Sequence, residues 1–198
     1  MANYISYIFN PLIMPTLGIF ILFNSGSIID FTSFEVKRAV YIITLLGTFA
    51  LPLSFIPLFL YNKVINTVMI QERTERIIPL LITSVTYLVA YFVAAKIPVA
   101  LIVKKFILST ALSVFIICII TIKWKISVHM ASIGGVVGLI MSLIIRLNLD
   151  LLPYLMVALF IAGLMASSRL RLNAHKPLEV YAGFLLGGAT VCVTLNVL

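Results

Sequence analysis

The chain has 198 residues, of which 63% are hydrophobic and only 10% are charged, and its formal net charge is +8. A mean hydropathy of +1.22 is typical of an integral membrane protein and excludes an ordinary soluble domain. The basic residues stand singly or in pairs between apolar segments, where they meet anionic headgroups, so the charge does not indicate a nucleic-acid partner. We expect one domain over residues 1–198, surrounded by membrane lipid.

Seven apolar segments approach or exceed the length of about 20 residues that a membrane-spanning helix needs. They cover residues 8–23, 39–60, 78–95, 106–122, 130–145, 151–166 and 180–198. This pattern predicts an all-α protein, a polytopic transmembrane bundle of six or seven helices. The count depends on the first segment, because Pro11 and Pro15 remove backbone donors and prevent a straight helix there.

The stretch between the last two segments concentrates polar chemistry, and over residues 168–179 it reads Ser-Arg-Leu-Arg-Leu-Asn-Ala-His-Lys-Pro-Leu-Glu. Pro177 belongs in the first turn of a helix, so we expect His175 just before that helix and Glu179 one turn along, within reach of the imidazole. A carboxylate in that position holds and polarises a histidine. The alternative is a basic loop facing headgroups, in which His175 is incidental and Glu179 only caps the helix.

A second polar stretch follows the fourth segment and contains the other histidine of the chain. Trp124 between two lysines is typical of an interfacial anchor, so Ser127 and His129 should lie just inside the membrane boundary as the fifth helix begins. The alternative for His129 is a packed or headgroup-facing side chain without chemistry.

A third polar stretch, at residues 71–76, contains two arginines three positions apart. On a helix Arg73 and Arg76 would share one face and could both meet one phosphate, whereas the alternative is a surface ion pair between Glu72 and Arg76. Two apolar segments separate each polar stretch from the next, so all three should emerge on the same side of the membrane.

The order Ser-Arg, five residues, His, three residues, an acid, Val and then Gly over residues 168–183 resembles the third signature of the type 2 phosphatidic acid phosphatase (PAP2) superfamily. Ser127 and His129 match the serine and histidine of its second signature, Pro-Ser-Gly-His. The first signature, Lys, six residues and Arg-Pro, is absent, and Arg73 and Arg76 are only loose equivalents. The resemblance is therefore strongest over residues 127–183.

The resemblance implies a role for each matching residue. His175 would be the nucleophile that accepts the phosphoryl group, oriented by Glu179 where the family usually has Asp, and His129 would protonate the leaving group. Phosphate binding would fall to Ser168, Arg169, Ser127 and Arg73 or Arg76.

From this resemblance we expect a metal-independent lipid phosphatase of a bacterial inner membrane, without a cofactor. It would hydrolyse phosphatidate, phosphatidylglycerophosphate or a polyprenyl diphosphate through a phosphohistidine. The six acidic residues are too scattered to build a divalent metal cluster. The alternative is a non-catalytic relative that binds or moves an anionic lipid headgroup, and the oligomeric state is left open.

Small-residue faces occur in the fifth and last segments. The fifth contains Gly134, Gly135 and Gly138, and the last contains Gly183, Gly187 and Gly188. Such faces predict close packing of two helices.

Overall fold

The computed structural model describes residues 6, 8–67, 70 and 72–197, which form helices and connecting loops without a β-strand. In chain order the helices are α1 (Met14–Phe23), α2 (Phe34–Tyr61), α3 (Ile77–Ala95), α4 (Leu101–Thr121), α5 (Val128–Leu147), α6 (Leu152–Arg171) and α7 (Pro177–Asn196). Helices α2 to α7 are long and apolar enough to cross a membrane. The predicted all-α architecture is confirmed, and the chain is an integral multi-pass membrane protein.

The first predicted segment, residues 8–23, forms a regular helix only in its second half. Helix α1 begins at Met14, with Pro15 in its first turn. Its side chains enter the core, since Ile19 and Leu22 are 0% exposed. Among the described residues the bundle thus has six long helices and the short helix α1, in agreement with the predicted count of six or seven.

Several helices extend beyond the predicted apolar segments, because charged residues that were assigned to loops belong to the helix ends. Helix α4 starts at Leu101 rather than at residue 106. Lys104 lies in its first turns and donates to the carbonyl of Ala95 at the end of α3, at 2.9 Å. Helix α6 continues to Arg171 rather than ending at residue 166, since basic side chains are favourable in a last turn.

Helix α2 is long but irregular. A π-helical turn at Leu46–Ala50 precedes Pro52, and the helix is interrupted again at Phe55 before Pro57. Proline removes the N–H that would bond one turn back, so both irregularities follow from the sequence.

Helix α5 lies at the centre of the bundle and packs against α7 through their glycines. In the most apolar stretch of α5, 67% is buried inside the bundle. The corresponding stretches of the other five spans are 22% to 44% buried. A Cβ atom on Gly138 would approach the carbonyl oxygen of Gly188 to 2.5 Å, and one on Gly187 would overlap the carbonyl of Ala131. Only hydrogen fits at these positions, so the predicted close packing is confirmed.

Helices α5 and α7 run parallel and are joined at both ends. At their first turns the Ser127 N–H donates to the Glu179 carbonyl at 3.2 Å. At their last turns Arg146 donates to the Leu195 carbonyl, and nearby the Asn196 amide donates to the Ser142 hydroxyl at 3.1 Å. The helix whose first turn contains His129 and the helix that carries Glu179 therefore start side by side at one membrane face.

Candidate active site

His175 lies in the loop between α6 and α7, and its imidazole contacts a carboxylate in the first turn of α7. Nδ1 of His175 is 2.8 Å from Oε2 of Glu179, and each residue is 7% exposed. The loop turns at Asn173, whose left-handed φ of 49° follows the end of α6. The contact predicted from the spacing of these two residues is confirmed.

Glu179 also caps α7, so its two predicted roles are compatible. The Lys176 N–H donates to the same Oε2 at 3.2 Å. A carboxylate can only accept, so the neutral imidazole must carry its proton on Nδ1. Nε2 of His175 is then unprotonated, which is the state that a nucleophilic histidine requires.

Burial lowers the pKa of the His175 imidazole to about 4. The hydrogen bond to Glu179 opposes that shift, whereas the charges of Arg76 and Arg169 lower the pKa further. His175 is therefore neutral at pH 7, which keeps the Nε2 lone pair available.

Arg169, in the last turn of α6, presents its guanidinium to the same region. Its Nη1 donates to the Ser6 hydroxyl at 3.3 Å, while its buried Nε has no hydrogen-bond acceptor in the described protein. The neighbouring Ser168 is 3% exposed. A buried donor without an acceptor costs about 1–3 kcal/mol, so an anion beside Arg169 would be stabilised.

The two arginines of the third polar stretch have different partners. Arg73 Nη1 donates to the carbonyls of Thr121 and Ile122 and thereby caps the end of α4. Arg76 donates to the Ile70 carbonyl at 3.0 Å, and its charge acts on His175. The two guanidinium groups thus have different backbone acceptors, and the expectation that both could meet one phosphate stays a prediction.

The alternative prediction for this stretch, an ion pair between Glu72 and Arg76, is wrong. Among the described residues the carboxylate contact that meets the distance of an ion pair is that of Glu179 with His175, and His175 is neutral. Of Arg73 and Arg76, it is therefore Arg76 that contributes positive charge to the site.

His129 and Ser127 lie at the start of α5, as predicted. The His129 imidazole is hydrogen-bonded to the backbone of Ser6, and the charges of Arg169, Arg76 and His175 act on it. Ser127 is 0% exposed, and its hydroxyl has no partner in the described protein. Both side chains belong to the region around His175, with Ser127 beneath its surface.

Comparison of the chain with family models, with curated proteins and with solved structures gives no match. Function must therefore be argued from the geometry and charge of the site. In the part of the chain that the structure describes, no three His, Cys, Asp or Glu side chains are grouped to hold a metal ion.

Lys125 is a member of the site that the sequence reasoning assigned only to an interfacial anchor. Burial lowers the pKa of Lys125, as do the charges of Arg76 and Arg169, while Glu179 and Glu72 oppose the shift. The sequence signal was its position two residues before Ser127, ahead of the second polar motif.

Ser6 was also missed, because nothing in the local sequence indicates that this residue lies beside Arg169 and His129. It is 163 positions away from Arg169 in the chain. The contact is a product of tertiary packing alone.

Proposed function

We propose that this protein is a lipid phosphate phosphatase that works through a phosphohistidine on His175, in a bacterial inner membrane. The observation that carries the proposal is the neutral, buried His175, held by Glu179 with Nε2 unprotonated, in a region where Arg76, Arg169 and Lys125 supply positive charge. A nucleophile among cations suits a substrate that is an anion at its reacting atom.

In the proposed reaction the Nε2 lone pair of His175 attacks phosphorus and the bond from phosphorus to the lipid oxygen breaks. The negative charge of the bound phosphate favours the protonated form of His129, which donates its proton to the departing oxygen. His129 then accepts a proton from the water that attacks the phosphohistidine, which releases inorganic phosphate and restores His175. Arg169 and Arg76 stabilise the charge on the phosphoryl oxygens, and Glu179 stabilises the cationic phosphoimidazole.

Helix ends support the same assignment of an anionic ligand. Helices α5 and α7, each 20 residues long, both begin at this region. The N-terminus of a helix carries partial positive charge and free N–H groups, which favour a phosphate.

The second candidate function is binding or movement of an anionic lipid headgroup without turnover. The complete burial of Ser127 favours it, since that hydroxyl cannot reach a ligand without rearrangement. The absence of the first PAP2 signature favours it as well. In this case the arginines bind the headgroup and His175 forms no covalent bond.

Phosphate release from purified protein separates the two functions. We expect release from at least one of phosphatidate, phosphatidylglycerophosphate or a polyprenyl diphosphate, measured with and without a chelator. His129→Ala should slow that reaction by about 10²-fold or more, because the leaving alkoxide loses its proton donor. An activated aryl phosphate needs little protonation, so its hydrolysis should be slowed much less.

Equal losses for lipid and aryl phosphates would show that His129 is structural. Failure of the wild-type protein to release phosphate from any of these substrates would favour the headgroup-binding function.

The contact of Ser6 with Arg169 yields a further prediction, because the Ser6 hydroxyl accepts where a phosphoryl oxygen would accept. Ser6→Asp should place a carboxylate on the guanidinium and compete with substrate, raising KM by about tenfold with a smaller change in kcat. The inhibition constant of orthovanadate should rise in parallel.

Ser33→Asp is the matched control, since it adds the same charge at the exposed start of α2, on the opposite membrane face. A KM for Ser6→Asp equal to that of Ser33→Asp would show that substrate phosphate does not bind where Ser6 meets Arg169.

A further inference from the structure

The membrane face opposite the candidate active site contains a cavity of about 400 Å³. It lies between the loop after α1, the start of α4 and the end of α5, and its lining includes Gly26, Leu101, Lys105 and Arg146. Helix α5 has 20 residues and a rise of about 1.5 Å per residue, which separates this cavity from His129 by nearly 30 Å. The two regions are therefore distinct.

Two cationic side chains line the cavity, and neither pairs with a carboxylate among the described residues. Lys105 makes no hydrogen bond to the described protein, and Arg146 uses Nη1 on the Leu195 carbonyl. Two other lysines on this face are occupied: Lys104 donates to the Ala95 carbonyl and Lys37 donates to the Asp30 carbonyl at 2.7 Å. The positive charge of Lys105 and Arg146 is thus available to a ligand.

The carboxylate of Asp30, in the loop that lines the cavity, does not pair with these cations. The oxygens of Asp30 accept from the N–H groups of Ser25 and Gly26, at 3.2 and 2.8 Å. Both oxygens of the Asp30 carboxylate are therefore hydrogen-bonded within their own loop. Gly26, which lines the cavity, has a left-handed φ of 74°, and a Cβ atom there would meet nothing within 4 Å.

The remaining walls are mostly apolar, and part of them lies exposed at the protein surface. Ile28 is 89% exposed and Leu101 is 65% exposed, while Ile29 closes the inner wall at 7%. A small soluble anion would leave these walls in contact with water. An amphiphile would place its charge on the cations and its hydrocarbon along the walls.

We propose that this cavity binds the anionic headgroup of a membrane phospholipid, with its phosphate between Lys105 and Arg146 and an acyl chain along Ile28 and Leu101. A volume of about 400 Å³ lies within the range of small-molecule sites in proteins. The site does not depend on catalysis at the other face.

The test uses the purified full-length protein in an uncharged detergent, with bound lipid counted by native mass spectrometry. Phosphatidylglycerol should bind more tightly than phosphatidylcholine, and Lys105→Gln should weaken phosphatidylglycerol binding about fivefold. Lys105 makes no hydrogen bond, so this variant should fold normally. Lys96→Gln removes the same charge from an exposed residue of the same face outside the cavity and should bind like wild type.

Equal binding by Lys105→Gln and wild type, or equal losses in Lys105→Gln and Lys96→Gln, would overturn the proposal. The last comparison uses soluble glycerol phosphate as a competitor of phosphatidylglycerol. If it displaces phosphatidylglycerol at equal concentration, the ligand is a free phosphate and the lipid assignment is wrong.

Discussion

Replacing Glu179 by Gln is expected to lower the turnover of lipid phosphate by about 10²-fold or more, with the protein still folded. Both contacts of Glu179 use Oε2, one to His175 Nδ1 and one to the Lys176 N–H. A glutamine oxygen can accept from both groups, so the cap and the imidazole orientation survive. The cationic phosphoimidazole, however, loses its counter-charge. Turnover is measured as phosphate release, and folding as the thermal unfolding midpoint.

Two companion variants make this result specific. His175→Ala should abolish turnover, by about 10³-fold or more, because it removes the nucleophile. Glu179→Asp keeps the charge and should retain much of the activity. Arg169 is intact in all of them, so orthovanadate binding should persist. Wild-type turnover by Glu179→Gln would leave Glu179 as a helix cap and remove the case for catalysis by His175.

Replacing Gly187 by Ala is expected to produce the largest loss of stability among the glycine-to-alanine substitutions. A methyl group there would overlap the carbonyl oxygen of Ala131 on α5, and backbone cannot move aside as a flexible side chain can. Overpacking of this kind costs about 1–3 kcal/mol, and we expect the upper end of that range. The unfolding midpoint in detergent should fall by about 5 °C or more.

A graded glycine series supplies the control for this prediction. A Cβ on Gly188 would lie 3.3 Å from the Gly134 carbonyl oxygen, a milder contact, and one on Gly163 of α6 would meet nothing within 4 Å. Gly188→Ala should therefore be intermediate, and Gly163→Ala neutral or slightly stabilising because alanine favours helix. Equal midpoints for Gly187→Ala and Gly163→Ala would contradict the close α5 to α7 contact.

Gly187→Ala should also lower the rate of phosphate release at temperatures at which the variant is still folded. The same interface brings the Ser127 N–H to the Glu179 carbonyl at 3.2 Å. Separating α5 from α7 therefore moves His129 away from the pair formed by His175 and Glu179. This coupling explains why the glycine face bears on the site although no glycine is part of it.

The sequence by itself determined the features that depend on local geometry. Spans follow from runs of apolar residues, because lipid cannot satisfy an exposed backbone. The contact of His175 with Glu179 follows from Pro177 and a spacing of four residues, since a helix brings such neighbours together whatever surrounds it. The prolines of α1 and α2 likewise predict the irregularities at those points.

Only the tertiary structure decided which distant residues meet. Arg73 and Arg76 have similar local sequence, yet one caps α4 and the other adds charge near His175. Lys125 and Ser6 reach the site, and Lys105 and Arg146 share a cavity, through contacts between separate helices and loops. In a membrane bundle nearly every helix surface is apolar, so hydrophobic patterning does not specify which faces pair. Close approach of glycines and a few interhelical hydrogen bonds select the partners, and these depend on the whole bundle.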